Sequence, residues 1–454
     1  MIHRFKNNGY NIVLDVNSGS VHSVDELAYD AIGLKENHST EETVKALSDR
    51  YDRDEILEVC SEIDELAEGG ELYTEDTYKV PVGAFTASHK PVVKALCLHI
   101  AHDCNLACRY CFASEGEYHG ERALMSFEVG KAALDYLVAN SGSRHNLEVD
   151  FFGGEPLLNF DVVKQLVEYG RSIENEHDKR FRFTLTTNGV KLDDDIMEFA
   201  NKEMANLVLS IDGRKEVHDH MRPFRGGQGS YDMILPKFKK AAESRNQTDY
   251  YVRGTYTHFN KDFSNDVLHL ADQGFEQISV EPVVALPTEE YALKEEDLPQ
   301  LFEEYDRLAA EMLKRNSEGR GFNFFHFMID LEGGPCVYKR LSGCGSGTEY
   351  LAVTPWGDLY PCHQFVGNEE FLMGNVFDGI TRQDIRDEFA ACNVYSKPGC
   401  QDCFAKFYCS GGCAANSYNF TKDVNGAYEI GCELQKKRVE CAIMLKVAEE
   451  NIHQ

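Results

Sequence analysis

Residues 95–285 alternate between short apolar segments, which are predicted strands, and longer amphipathic segments, which are predicted helices. Alternation of this kind is typical of a parallel sheet whose strands are joined by right-handed helical crossovers. The six predicted strands are Lys94–Ala101, Leu147–Phe152, Phe181–Thr186, Leu207–Ile211, Tyr250–Tyr256 and Gln277–Val280. The clearest helices are predicted over Phe127–Asn140 and Phe160–Glu176. The sequence therefore predicts an α/β fold, in which functional residues gather at the carboxyl ends of the strands.

A group of three cysteines directly follows the first predicted strand. Cys104, Cys108 and Cys111 stand at positions i, i+4 and i+7. Three thiolates can hold a four-iron cluster and leave one iron open to an exchangeable ligand. The alternatives are a zinc site and a disulfide loop. Structural zinc sites usually combine two cysteine pairs, or a cysteine pair with a histidine pair, and no second pair lies close by in the sequence. The spacing therefore favours the iron–sulfur cluster.

This spacing, with Tyr110 as an aromatic residue just before the third cysteine, resembles that of the radical SAM superfamily. The resemblance implies a partial (β/α)6 barrel and a [4Fe-4S] cluster on Cys104, Cys108 and Cys111. It also implies that S-adenosyl-L-methionine (SAM) binds to the open iron of that cluster. The chain is then an enzyme: reductive cleavage of SAM yields a 5′-deoxyadenosyl radical that removes hydrogen from carbon, while the protein positions the reactants and excludes water.

Polar motifs occupy the ends of the next three predicted strands. They are Gly153-Gly-Glu-Pro156, Thr186-Thr-Asn-Gly189 and Ser210-Ile-Asp-Gly213. Glycine lets the backbone approach a ligand closely, and a carboxylate accepts hydrogen bonds from an ammonium group. By resemblance, the residues that contact SAM are Tyr110, Gly153, Gly154, Glu155, Thr187, Asn188, Ser210, Asp212 and Arg222, with Arg222 pairing with the SAM carboxylate. The alternative role for each motif is the capping of a turn.

A second set of cysteines fills the C-terminal region: Cys344, Cys362, Cys400, Cys403, Cys409, Cys413 and Cys432. Their order resembles the SPASM domain, which holds two auxiliary [4Fe-4S] clusters. By resemblance, the outer cluster is held by Cys400, Cys403, Cys409 and Cys432, and the inner cluster by Cys344, Cys362 and Cys413. A zinc site accounts for only four of these residues. The chain is therefore expected to hold three clusters.

The inner cluster lacks a fourth ligand in this assignment. Either Cys336 supplies it, or the iron stays open for a cysteine of the substrate. A thiol bound to iron is deprotonated and fixed in position. The second arrangement suits the formation of a carbon–sulfur bond.

Residues 1–80 are predicted to form a separate winged-helix-like domain of short strands and three helices. Strand-like segments at Tyr10–Asp15 and Ser20–Ser23 flank a turn, and Ser39 and Glu42 form a capping-box signal. The domain has 19 Asp and Glu against 7 Lys and Arg, which argues against DNA binding. It resembles the leader-recognition domain of enzymes that mature ribosomally made peptides, in which the leader adds a strand to the sheet. A purely structural domain and a DNA-binding regulator are the alternatives.

The formal net charge of −30 is spread along the chain, so nucleic acid is not an expected partner. We expect no membrane span, because no apolar run reaches about 18 residues. The N-terminus has no apolar signal core, and the expected location is the cytoplasm. Fifteen cysteines in such a chain favour metal ligation over disulfides. The remaining predicted segments are a linker over 81–94, a barrel over 95–285, a bridging region over 286–335 and the SPASM domain over 336–454.

Taken together, the chain resembles sactipeptide-type radical SAM maturases, and in particular those of peptides with six cysteines in forty-five residues. The implied reaction is thioether formation between a cysteine sulfur and a carbon of an acceptor residue in a cysteine-rich precursor peptide. A low-potential electron donor is implied as well. The alternative enzyme is an anaerobic sulfatase-maturating enzyme that forms formylglycine and has no need of a leader-binding domain. A non-catalytic iron–sulfur electron carrier is a further alternative, which the open-iron spacing and the Gly-Gly-Glu-Pro motif disfavour.

Overall fold

The computed structural model of the chain describes residues 1–79, 91–333 and 337–453. Most of the predicted linker and the proposed ligand Cys336 therefore lie outside the described residues.

The N-terminal residues form a small antiparallel sheet followed by three helices. The sheet has the order β1 (Ile2–Asn7), β2 (Tyr10–Asp15) and β3 (Val21–Val24), and the helices are α1 (Glu26–Lys35), α2 (Thr40–Leu47) and α3 (Arg53–Glu68). β2 has the predicted bounds, whereas β1 was not predicted. The capping box is present at α2: the backbone N–H of Glu42 donates to Ser39 Oγ at 3.3 Å, and the Ser39 N–H donates to the Glu42 carboxylate at 2.9 Å.

The two edges of this small sheet have different environments. β1 lies against the C-terminal part of the chain, where the His3 ring stacks on Phe404 and the His3 Nε2 lies 2.9 Å from a Glu440 oxygen. Asn7 also donates to Asp306 at 2.6 Å. β3 pairs only with β2 among the described strands.

The central sheet contains all six predicted strands, and they are parallel. The observed strands are β4 (Ala95–His102), β6 (Asn146–Gly153), β7 (Arg180–Thr187), β8 (Met204–Ser210), β9 (Tyr250–Tyr256) and β10 (Gln277–Pro282), which neighbour one another in this order. The short strand β5 (Ala123–Leu124) pairs with β4, and β11 (Asn323–Phe324) extends the sheet beyond β10. The predicted α/β barrel fold is therefore confirmed.

Helices connect these strands and cover the sheet. They are α4 (Phe127–Asn140), α5 (Phe160–His177), α6 (Asp194–Glu203), α7 (Lys215–Met221), α8 (Tyr231–Ser244), α9 (Ser264–Asp272) and α10 (Leu298–Ser317). Short 3-10 helices lie at Pro156–Asn159, His258–Asn260, Glu295–Asp297, Phe325–Phe327, His363–Phe365 and Glu369–Phe371. The buried faces of α4 and α5 join the strands in one apolar core. Burial of one face of each helix drives this packing.

The C-terminal part continues the same sheet. β12 (Tyr350–Val353) pairs in parallel with β4, and β13 (Asp358–Tyr360), β14 (Gly374–Asn375) and β15 (Gly379–Ile380) follow in antiparallel order. The helices here are α11 (Val337–Ser342), α12 (Gln383–Ala391), α13 (Lys406–Cys409), α14 (Ala414–Thr421) and α15 (Glu429–His453). α15 packs against α10. Within the described ranges, no helix has both the length and the apolar character needed to cross a bilayer.

Candidate functional site

The three N-terminal cysteines lie in a loop that begins where β4 ends. The backbone of this loop pairs with residues 221–225: the Ala107 N–H donates to the Pro223 carbonyl, and the Arg109 N–H to the Met221 carbonyl, both at 2.9 Å. The Arg225 guanidinium adds a hydrogen bond to the Cys104 carbonyl at 2.7 Å. The segment that contains Arg222 therefore holds the cysteine loop in place.

Burial makes two of these thiols weak acids in the protein alone. It raises the pKa of Cys104 and of Cys108 to about 12 in each case. A metal centre must therefore displace protons when it binds, which makes loading pH-dependent. Among the described side chains, no three His, Cys, Asp or Glu residues converge on a point that one metal ion would occupy. The thiols of the loop and the residues around them therefore decide which ligand fits it.

Glu155 provides a buried carboxylate beside this loop. Its oxygens accept hydrogen bonds from the Thr187 hydroxyl at 2.7 Å, the Asn188 N–H at 2.8 Å and the Leu157 N–H at 3.0 Å. Burial raises the pKa of Glu155 to about 7. The structure shows no ion pair between Glu155 and another described side chain. A buried carboxylate with donors on one side and no cation fits an ammonium group such as that of SAM.

Asn188 connects the carboxylate to the cysteine loop. Its Nδ2 donates to Asn105 Oδ1 at 2.7 Å and lies 3.7 Å from the Cys104 sulfur. The ends of β6 and β7 and the loop after β4 are thereby joined in one hydrogen-bonded group. Asn105 was not identified from the sequence, although it lies within the cysteine motif itself.

Asp212, after β8, organises the other side of the loop. Its buried carboxylate accepts hydrogen bonds from the Tyr110 hydroxyl at 2.7 Å, from Arg222 Nε at 3.0 Å and from the Thr255 N–H at 2.9 Å. The Arg222 guanidinium lies 5.3 Å from the centre of the Tyr110 ring. Asp212 was expected to contact SAM directly. In the structure its oxygens are used by protein donors, so it orients Arg222 and Tyr110.

The glycines at the end of β6 are required by close backbone packing. A Cβ on Gly154 would lie 2.1 Å from the Asp103 carbonyl oxygen, and one on Gly153, at φ +117°, would lie 2.5 Å from the Ala101 carbonyl oxygen. These glycines thus let β6 approach the backbone that leads into the cysteine loop. The prediction that Gly153 and Gly154 also contact SAM stays a prediction. Ser210 lies at the end of β8 opposite Arg253, to which it is paired in register.

Arg253 of β9 and Glu281 of β10 form an ion pair that was not predicted. Arg253 Nη2 lies 2.9 Å from both Glu281 oxygens, and the side chains are 46% and 34% exposed. Burial acts to raise the pKa of Glu281, but Arg253, His326 and Arg438 lower it to about 2. Charged residues lie near the pair, but both side chains remain partly exposed, so a ligand can reach them. Its sequence signal is a single charged residue in each of two otherwise uncharged strands, β9 and β10.

The buried C-terminal cysteines Cys362 and Cys409 each lie near further thiols. Burial raises the pKa of Cys362 well above its ordinary value, and the nearby Cys413 and Cys344 raise it further. Burial likewise raises the pKa of Cys409 to about 12, with contributions from three other thiols: Cys432, Cys400 and Cys403. Cys392, which was not predicted as a site residue, lines a small cavity together with Cys344.

The two regions with cysteines face each other across aromatic rings. Phe112, which follows Cys111, has its ring centre 5.6 Å from that of His363, which follows Cys362. Phe152, at the end of β6, contacts the same histidine at 5.1 Å. The loop after β4 and the inner cysteine group therefore border the same part of the barrel.

Part of the chain matches a known protein family, and several known proteins are similar over longer stretches. Residues 98–273 match the Radical SAM superfamily. The chain is 24% identical over 362 residues to the cysteine-type anaerobic sulfatase-maturating enzyme of Clostridium novyi, covering 74% of this chain and 92% of that enzyme. It is 24% identical over 289 residues to the antilisterial bacteriocin subtilosin biosynthesis protein AlbA of Bacillus subtilis, covering 61% of this chain and 56% of AlbA.

Among solved structures, native anSMEcpe with bound AdoMet and Cp18Cys peptide superimposes with a TM-score of 0.64 at 19% identity, covering 80% of this chain and all of that chain. At this identity the likeness shows the fold. The chain spans only about half the length of some relatives, AlbA and an uncharacterized protein of Methanocaldococcus jannaschii among them. The match to the Radical SAM superfamily covers the cysteine loop after the first barrel strand and the four strands β6 to β9.

Proposed function

We propose that the chain is a radical SAM peptide maturase that installs a thioether between a cysteine and an acceptor residue of a cysteine-rich precursor peptide. The observation that carries this proposal is the contact between Phe112 and His363, which brings the cysteine loop of the barrel beside the inner C-terminal cysteine group. A reaction that must activate a carbon and hold a sulfur needs two such sites around one substrate.

In this proposal Cys104, Cys108 and Cys111 hold a [4Fe-4S] cluster, and the SAM bound to it supplies a 5′-deoxyadenosyl radical when reduced. Glu155 accepts hydrogen bonds from the SAM amino group, and Arg222, oriented by Asp212, pairs with the SAM carboxylate. The outer auxiliary cluster is assigned to four cysteines and the inner one to three: Cys400, Cys403, Cys409 and Cys432, and Cys344, Cys362 and Cys413. The buried thiols of each group provide a donor set that suits iron–sulfur clusters.

The peptide is proposed to occupy the barrel interior beside Arg253 and Glu281. Both side chains are partly exposed, so Arg253 can donate and Glu281 can accept further hydrogen bonds. Burial lowers the pKa of His363, which lies beside the inner cysteine group, and the charge of Arg253 lowers it further. The leader is proposed to add a strand at β3, whose outer edge pairs with no described strand. The acidic N-terminal unit favours a basic leader. The proposed location is the cytoplasm, with a low-potential electron donor.

The second candidate function is formylglycine formation in a sulfatase. The sulfatase-maturating enzyme of C. novyi is matched over 92% of its length, which favours this candidate. The N-terminal sheet and helices favour the thioether reaction, because binding a leader requires a dedicated surface.

Anaerobic co-expression with the cysteine-rich peptide encoded nearest the gene, followed by mass spectrometry, separates the two candidates. The thioether reaction removes two hydrogens per bond and leaves fewer thiols to alkylate after full reduction. Formylglycine formation leaves an aldehyde that reacts with hydrazides. The Cys104→Ala enzyme serves as the control, and a peptide unmodified by an enzyme that still cleaves SAM would refute the thioether proposal.

A further inference from the structure

The C-terminal part contains a lysine that is enclosed by protein and lacks a carboxylate partner. Lys397 is 2% exposed and is one of the largest fully buried side chains of the molecule. Its Nζ donates a hydrogen bond to the Ser417 hydroxyl at 3.2 Å. In the part of the chain that the structure describes, no Asp or Glu forms an ion pair with it. An isolated ammonium in such a place carries a large desolvation cost.

A second buried lysine in the same region has a carboxylate partner that offsets the desolvation cost of its ammonium group. Lys406 is also 2% exposed, and its Nζ lies 2.7 Å from an Asp76 carboxylate oxygen. The two lysines flank the same cysteine motif, Cys400 to Cys403, but only Lys406 has a carboxylate as counter-charge. Lys397 therefore needs a counter-charge of another kind.

The neighbours of Lys397 are thiols. The Lys397 carbonyl accepts a hydrogen bond from the Cys400 N–H at 3.1 Å. Ser417, to which Lys397 donates, donates in turn to the Cys413 carbonyl at 3.1 Å. The positive charge of Lys397 opposes the effect of burial on the pKa of Cys392, Cys400 and Cys413. Cys400 belongs to the outer cysteine group and Cys413 to the inner group. A cavity of about 20 Å³ beside Lys397 is also lined by Cys344 and Cys392. The ammonium thus lies between the two groups of cysteines.

We propose that Lys397 is a counter-cation shared by the two auxiliary clusters and that it raises the reduction potential of both. This inference rests on the auxiliary clusters of the proposed function. Cysteines bound to iron are thiolates, so they supply the negative charge that Lys397 otherwise lacks. Net charge and hydrogen bonds to sulfur set the potential of such clusters. Reduction adds negative charge, and a nearby fixed cation stabilises the reduced form.

The test measures the midpoint potentials of the auxiliary clusters alone. The parent protein carries Cys104→Ala, Cys108→Ala and Cys111→Ala, so that only the C-terminal clusters contribute to the electron paramagnetic resonance signal during a redox titration. Lys397→Met is expected to make both midpoints more negative, whereas Lys397→Arg keeps them near those of the parent. The matched control combines Lys406→Met with Asp76→Asn, which removes a buried ion pair from the same region without changing the net charge. Its midpoints are expected to be unchanged.

Each outcome decides between explanations. Unchanged midpoints in a Lys397→Met protein with full iron content would overturn the inference. If Lys397→Met loses auxiliary iron and Lys397→Arg retains it, the counter-charge is supported, whereas iron loss in both variants would assign Lys397 a role in packing alone. A parent protein without any auxiliary iron would overturn the proposed clusters themselves, and the inference with them.

Discussion

At the scale of single residues, Glu155 and Asp212 are both buried carboxylates, but the fold treats them differently. Asp212 receives a guanidinium from its own chain, whereas Glu155 receives only neutral donors. Asp212 has its counter-charge within the protein, whereas Glu155 can still accept a cationic ligand. We therefore expect the removal of the Glu155 charge to weaken ligand binding and the removal of the Asp212 charge to weaken the fold.

For Glu155, we expect Glu155→Gln to weaken SAM binding by roughly 10- to 100-fold, because a hydrogen bond to a charged group contributes about 1.5–3 kcal/mol. The wild-type affinity should fall as the pH drops below about 7, since burial raises the pKa of Glu155 to about 7 and the protonated form lacks the charge. The unliganded fold gains stability from this group as the pH falls from about 7 toward the ordinary carboxyl range. Equilibrium dialysis with SAM at several pH values measures the affinity, and equal pH profiles for both proteins would contradict the assignment.

For Asp212, we expect Asp212→Asn to lower the free energy of unfolding by roughly 3–5 kcal/mol, because it leaves the Arg222 guanidinium buried without a counter-charge. Asp262→Asn is the matched control. Asp262 is 39% exposed and shares Arg214 with Asp266, so its loss should cost about 1 kcal/mol or less. Denaturant unfolding of the two variants makes the comparison, and equal losses would contradict the role given to Asp212.

At the scale of elements, the end of β6 is joined to the cysteine loop by backbone packing. Gly154→Ala would place a Cβ against the Asp103 carbonyl, which cannot move without displacing the loop. We expect a loss of about 1–3 kcal/mol in stability and reduced iron loading at Cys104, Cys108 and Cys111. Gly120→Ala is the control in the same region, where the added Cβ meets only the Glu117 carbonyl at 3.7 Å. Full loading of the Gly154→Ala protein would refute the packing argument.

If a leader peptide adds as a strand at the edge of β3, its backbone hydrogen bonds should recur at every second residue. A peptide that adds to this edge as a strand presents only alternate N–H groups to its neighbour. N-methylation of successive leader residues should therefore weaken binding at every second position, by roughly 5-fold for a hydrogen bond of about 1 kcal/mol. Fluorescence anisotropy with labelled leaders measures this, and losses without a two-residue period would argue against strand addition.

The elements that could be predicted from sequence are those whose pattern is decided locally. Among the six parallel strands, β4 is a nearly continuous apolar run and β7 alternates buried apolar with more exposed polar residues, and the positions of all six were predicted to within a few residues. β1 was missed because Ile2–Asn7 contains charged and polar residues, and its burial depends on α10 and α15, which lie far away in sequence. The pairing of Arg253 with Glu281 depends on strand register, which the sequence does not specify. The role of Asp212 likewise follows from Arg222, Tyr110 and Thr255 meeting it in space.

At the scale of the whole molecule, the net charge of −30 should strengthen the binding of the proposed basic leader. We expect a basic leader to bind roughly 3- to 10-fold more weakly at about 300 mM salt than at about 50 mM, because surface charges are screened over a shorter distance. Isothermal titration with the same leader at the two salt concentrations measures the change. A leader whose basic residues are replaced by glutamine should lose this dependence, and a salt-independent affinity for the basic leader would remove charge from the account of recognition.

The parallel pairing of β12 with β4 limits which parts of the chain can vary in sequence and length. Leu351 lies opposite Leu96 and Val353 opposite Leu98, and β12 also pairs with β13, so the hairpin that leads to Cys362 is in register with the strand before Cys104. The separation between the two cysteine regions is thus set by one continuous backbone ladder. The segments over 283–297 and 317–333 lie outside this ladder and can vary in length or sequence without altering that separation. Such a chain can acquire new ligands by changing these segments, while the spacing of its two cysteine regions is inherited unchanged.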